Sequence, residues 1–157
     1  MELFKSLTGV EATHVPYKGS AAQAATDLVA GRVAMSFVNT STTISHLQDR
    51  SLRAIAVAEK HRIAALPDIP TLDESGLPGF EAPAWIALGA RAGTPDAVVL
   101  QLARDATHAL AQPESLHRLA ALGIEPRPMA PREFAAYIRR DTERWAEVIR
   151  RSGARAE

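Results

Sequence analysis

The chain has 157 residues, room for one ordinary domain that buries roughly two-thirds of its unfolded surface. Apolar residues make up 46% and charged residues 23%, with zero net charge at pH 7, which argues against a disordered chain, a basic nucleic-acid surface and an acidic tail for a basic partner. Cysteine is absent, which removes disulfides, thiolate zinc sites and cysteine nucleophiles together and fits an oxidising compartment.

Residues 2–7 carry Leu3, Phe4 and Leu7 at helical spacing and predict the last turns of an amphipathic helix closed by Gly9. A helix that opens at the initiator methionine without a cap reads as cut from something longer. MELFKSLTGV lacks the apolar core and small-residue cleavage site of a secretory signal, so no signal peptide is expected in the chain as given, and no stretch has the length of a membrane span.

Residues 13–39, THVPYKGSAAQAATDLVAGRVAMSFVN, predict strand, glycine-bearing turn, helix, glycine stop and second strand. Val15 begins a short β-prone run that Pro16 restricts. Gly19 permits a sharp turn and Ser20 is a good N-cap. Ala21, Ala22, Ala24, Ala25, Leu28 and Val29 favour the helix, and Gly31 fits its stop. The first turn of such a helix has N–H groups without intrahelical acceptors and the positive end of its dipole, both of which suit a carboxylate or phosphate.

Residues 41–48 predict a short helix with Ile44 and Leu47 inward and Asn39 or Thr40 as cap. Residues 52–58, LRAIAVA, form a nearly continuous apolar run that predicts a strand covered on both faces. This alternation of strand and helix predicts an α/β layout with a parallel sheet. Residues 59–79 are punctuated by Pro67, Pro70, Gly76, Pro78 and Gly79, so only a helical turn at 71–75 is expected there, and a long irregular segment of this kind wraps a surface or carries function. Residues 80–90, FEAPAWIALGA, predict the next strand.

Gly93, Thr94 and Pro95 predict a helix start, with Thr94 as cap and Pro95 at the first position, and a helix to about residue 111 that buries Val98, Leu102, Ala106 and Leu110. Residues 114–122 predict a helix ended by Gly123, and 124–127 a last short strand. From Pro131 to about residue 151, Phe134, Tyr137, Ile138, Trp145, Val148 and Ile149 recur at helical spacing. On the same helix, Arg139, Arg140, Arg144, Arg150 and Arg151 interleave with Asp141, Glu143 and Glu147, which predicts a solvated, salt-bridged face.

Six ordered blocks, VPYKGS at 15–20, DLVAGRV at 27–33, LRAIAVA at 52–58, ALPDIPTLDESGLPGFE at 65–81, AGTP at 92–95 and LAALGIEP at 119–126, resemble the tripartite tricarboxylate transporter receptor family, also called Bug proteins. The resemblance implies an extracytoplasmic solute receptor of α/β, type II periplasmic-binding-protein-like fold, of which this chain is similar to the C-terminal half. One parallel-sheet lobe is then expected, followed by C-terminal helices that belong to the other lobe. Residues 1–83 are most of the second α/β lobe and 84–157 the crossover strand and the helices returning to the first. The signal peptide and the first lobe's opening strand and glycine-rich loop are expected to lie outside the chain. Where the family usually has proline and aspartate, this sequence has Ala22 and Ala34.

The resemblance further implies a small carboxylate ligand, a di- or tricarboxylate or an acidic amino acid, delivered to membrane transporter subunits, and a periplasmic location. It assigns Tyr17, Lys18, Gly19, Ser20 and Ala21 to one cleft loop and Asn39, Thr40 and Ser41 to the edge after the next strand. Physically, Ser20 and the first-turn amides suit a ligand carboxylate, and Asn39 can both donate and accept. The plainer alternative is that Ser20 and Thr40 cap helices, Asn39 completes a turn and Lys18 is solvated. His14, His46, His61, His108 and His117 show no metal-ligand spacing, so no metal is expected and no cofactor. Trp85 and Trp145 read as packing residues. No GxSxG elbow, GxxxxGK loop or HExxH motif is present, so no enzyme and no catalytic residue are expected. The competing expectation is a truncated remnant that folds, or forms a homo-oligomer through exposed lobe-facing surface on Val98, Leu102, Phe134 or Trp145, without binding ligand.

Overall fold

The computed structural model describes residues 1–17 and 21–153. Among them it contains six helices: α1 (Glu2–Thr8), α2 (Ala21–Val29), α3 (Thr40–Gln48), α4 (Asp96–Leu110), α5 (Pro113–Ala121) and α6 (Pro131–Ser152). All six helix expectations are met to within two or three residues, because each helix has a local stop or start written beside it. After α2 the stop is a full Schellman motif: Arg32 N–H donates to the Asp27 carbonyl at 2.9 Å and Gly31 N–H to the Leu28 carbonyl at 3.1 Å. Gly31 sits at φ 70°, a conformation that costs a glycine little.

The chain divides into two compact units. Unit 1 comprises Leu3–Ala84 with Ala120–Glu125 and holds the buried residues: Ala24, Ala25, Thr43, Val57, Ile63, Thr71 and Phe80. Its aromatic centre joins Phe4 of α1, Phe37 and Phe80, with ring centroids 5.8 to 6.4 Å apart. Within it α2 packs against α3. The irregular residues 59–79 are fastened by a capping box at their one helical turn: Glu74 N–H donates to Thr71 Oγ1 at 3.0 Å, and Thr71 N–H donates back to Glu74 Oε2 at 2.8 Å. Arg62 Nε donates to the same carboxylate at 2.9 Å.

Unit 2 comprises Trp85–Leu119 and the chain from Pro126 onward. Here α4 lies along α6, and Trp85 packs edge-on against Phe134 and Tyr137 while its Nε1–H donates to Asp141 Oδ2 at 3.0 Å. Trp85 is therefore a packing residue, as expected. The charged face of α6 is also as expected: Glu147 pairs with both Arg150 and Arg151, and Asp141 with Arg144. No described residue of this unit is fully buried.

Three expectations are corrected. The two strands expected within 13–39 and those at 52–58, 80–90 and 124–127 form no strand ladder among the described residues; a single parallel bridge joins Val57 to Thr71. Far from being covered on both faces, the run 52–58 leaves Ile55 70% exposed. A strand exists only with a neighbour to take its N–H and C=O groups, and the described chain offers these runs almost none. Secondly, Pro95 and not Thr94 occupies the N-cap of α4, and Thr94 Oγ1 donates backward to the Arg91 carbonyl at 2.8 Å. Thirdly, the more covered face of α4 is Val99, Ala103, Ala106 and Leu110, which leaves Val98 and Leu102 exposed. The two stripes share Ala106 and Leu110 and differ in the first two turns by one residue, about 100° around the helix, a choice that periodicity alone could not make.

Candidate functional site

The expected site lies at the leading ends of α2 and α3, both in unit 1. Lys18, Gly19 and Ser20, three of its expected residues, lie outside the described residues. The other five are placed as follows. Ala21 is the first residue of α2 and is exposed. Tyr17 is half-buried, and its hydroxyl donates to Asp27 Oδ2 at 2.9 Å. Asn39 is the exposed N-cap of α3 in an extended conformation, and Thr40 and Ser41 are the first two helical residues.

Asn39 caps with its backbone alone. Its carbonyl accepts Thr42 N–H at 3.0 Å and the buried Thr43 hydroxyl at 3.2 Å, while its side-chain amide makes no cap hydrogen bond. The alternative in which Thr40 caps the helix is thereby corrected, since Thr40 is inside it. Thr40 is instead packed against the turn that ends α5: a Cβ on Gly123 would stand 2.6 Å from Thr40 Cγ2. The leading end of α3 thus keeps an amide side chain available and has its neighbour wedged in place.

Two residues that sequence reading passed over, Asp27 and Arg32, form a hydrogen-bonded group with Tyr17. Asp27 receives Tyr17 on one oxygen and Arg32 Nη1 on the other at 2.7 Å. The Arg32 guanidinium, followed by the Tyr17 hydroxyl, holds the Asp27 carboxyl below the usual carboxylate range. Partial burial, followed by the Asp27 hydrogen bond and charge, raises the Tyr17 hydroxyl. Both groups stay in their ordinary neutral-pH states, a phenol and a carboxylate. The only hint in the sequence was an acid and a base either side of the glycine stop in DLVAGR.

Among the described residues no group of three or more histidines and carboxylates could hold a metal. An open depression bordered by Lys5, Val10, Glu11, Ala12 and Thr13 includes none of the expected site residues. No helix among the described residues is long and apolar enough to cross a membrane.

Residues 1–154 match the family described as tripartite tricarboxylate transporter family receptor. The chain is 38% identical over 148 residues to a protein of the tcbD–tcbE intergenic region of Pseudomonas sp. (strain P51), covering 94% of this chain and 44% of that one. It is 34% identical to protein BugT of Bordetella pertussis, covering 98% and 47%. Among solved structures, an R. palustris protein with adipate matches at TM-score 0.87 and 34% identity over 97% of this chain and 50% of that one. The periplasmic binding protein BugD matches at TM-score 0.83 and 32% identity, covering 99% and 52%. MatC from Rhodopseudomonas palustris with bound malate matches at 0.80 and 34%, covering 94% and 51%. The chain spans about half the length of each of these proteins.

Proposed function

The chain belongs to the tripartite tricarboxylate transporter receptor family, and from that premise we propose that it supplies one side of a periplasmic receptor site for a small dicarboxylate or related acid. The observation that carries this reading is the start of α2 at Ala21, directly after the VPYKGS block. A helix beginning there offers first-turn amides and a positive dipole end to a carboxylate. The Asn39 amide, unused by its own helix cap, supports a second polar contact from the leading end of α3. Ligands of two solved relatives, adipate and malate, belong to the chemical class this arrangement suits.

In this reading Tyr17 to Ala21 and Asn39 to Ser41 form the chain's share of the site, with no catalytic residue and no cofactor. Residues 1–83 supply most of an α/β lobe whose parallel sheet is completed by further polypeptide. Residues 84–157 are the crossover segment and the helices that pack on the other lobe. The membrane subunits of a tripartite transporter then receive the ligand.

Calorimetric titration of the chain with adipate, malate, succinate, citrate, glutamate and aspartate tests the reading. Saturable heat with at least one of them, lost in Asn39→Ala, is expected; no heat with any refutes a binding role for the chain by itself. A second reading, a folded remnant that self-associates without ligand, is favoured by one observation: Ile86 is 92% exposed and Leu88 73%. Concentration-dependent light scattering together with thermally silent titrations is its signature.

A further inference from the structure

Asp27 sits on the second turn of α2, yet it joins Tyr17 ahead of the helix to Arg32 after it. Its Oδ2 accepts the Tyr17 hydroxyl at 2.9 Å, four residues ahead of Ala21. Its Oδ1 accepts Arg32 Nη1 at 2.7 Å, and its main-chain carbonyl accepts the Arg32 N–H at 2.9 Å, seven residues ahead of Asn39. The Asp27 side chain is only 17% exposed, whereas that of Arg32 is 71% exposed. The carboxylate is thus the more covered member of the pair with Arg32, and both partners donate to it.

We propose that Asp27 is a positioning residue for the receptor site, holding Tyr17 ahead of α2 and Arg32 after it while touching no ligand itself. The proposal rests on the carboxylate-receptor reading above for its effect on affinity, and on the hydrogen bonds alone for its effect on order. One carboxylate accepting two charge-assisted or phenolic hydrogen bonds fixes both segments for the entropy of a single short side chain. Because the Tyr17 proton is already donated to Asp27, the hydroxyl serves the scaffold and not the ligand. An asparagine at 27 has one acceptor oxygen in place of two and no charge, so the charge-assisted bond to Arg32 is lost and the two donors no longer each have an oxygen of their own.

The test compares Asp27→Asn, Tyr17→Phe and their double variant with Asp27→Glu and with Glu74→Gln, the last weakening a capping box in the same unit outside the site. Order is read without ligand from ¹⁵N relaxation of the Tyr17 and Ala21 amides, and affinity from adipate titration. Expected is a fall in order parameter at Tyr17 from about 0.85 toward about 0.6 in Asp27→Asn and Tyr17→Phe. Their adipate Kd rises about tenfold, and the double variant is no weaker than either single one, the behaviour of a coupled pair. Asp27→Glu regains part of the affinity, and Glu74→Gln lowers the melting temperature with order and Kd unchanged, a separation that a general loss of stability does not produce. Unchanged amide order in Asp27→Asn overturns the proposal, as does loosened order with an unchanged Kd. Loosened amides in a chain whose unaltered form binds no adipate support the positioning and remove the adipate-binding reading instead.

Discussion

Gly123 is where one atom has the most leverage on the candidate site. Its φ of 67° is a left-handed conformation, and a Cβ there would also stand 2.6 Å from Thr40 Cγ2 and 3.4 Å from Ala65 Cβ. Gly153 shares the same φ with open space around it. The pair therefore separates backbone strain from overpacking. Gly153→Ala is expected to cost about 1 kcal/mol for the left-handed conformation alone, whereas Gly123→Ala adds overpacking of about 1–3 kcal/mol. Equilibrium unfolding by denaturant measures both; equal losses would show that Thr40 yields without cost. In the sequence Gly123 was visible only as a helix stop, because its closeness to Thr40 spans more than eighty residues of chain. The Tyr17–Asp27–Arg32 group spans only ten and five residues, and it was hidden because no helical or strand spacing marks a side chain outside a helix that bonds back to it. Ala21 and Asn39 were legible as helix starts, since a helix start is a local property.

At the scale of the element, the two threonines that precede helical turns behave oppositely. Thr71 is 2% exposed and exchanges two hydrogen bonds with Glu74, whose carboxyl is held below its usual range by the Thr71 N–H and, after it, Arg62. Thr94, at a position that reads as a cap in the sequence, donates to the Arg91 carbonyl and leaves α4 to begin behind Pro95. Thr71→Val leaves the Glu74 N–H without its acceptor and is expected to destabilise by about 1–2 kcal/mol. Thr94→Ala is expected to stay within about 0.5 kcal/mol, the range of an ordinary surface change. Thermal unfolding of the two variants side by side decides this, and a loss at Thr94 matching that at Thr71 would restore Thr94 as a cap. The helices were readable because caps, glycine stops and 3.6-residue periodicity sit within each one. The apolar runs at 52–58 and 80–90 were readable as β-prone but not as sheet, because a ladder is made between segments and its partners are not among the described residues.

For the molecule as a whole, the unequal coverage of apolar surface is the governing feature. Unit 1 has its buried residues and its three phenylalanines, whereas in unit 2 no described residue is fully buried and Ile86, Leu88, Val98, Leu100 and Leu102 are all exposed. Ile86 and Leu88 alternate with Ala87 and Gly89, so in an extended run both project from one face. Contiguous exposed apolar surface next to unpaired backbone is a template for pairing with another chain. In relatives of about twice this length there is as much polypeptide again to cover such a face. Supplied alone, the chain is expected to associate with itself, giving a sedimentation mass above 16.9 kDa that rises with concentration. A lysine facing solvent on such a run opposes pairing, so Ile86→Lys with Leu88→Lys is expected to return the chain to a monomer while leaving its helical circular dichroism unchanged. A strictly monomeric unaltered chain at high concentration would mean that this face needs no cover, and the exposed run would then no longer favour self-association.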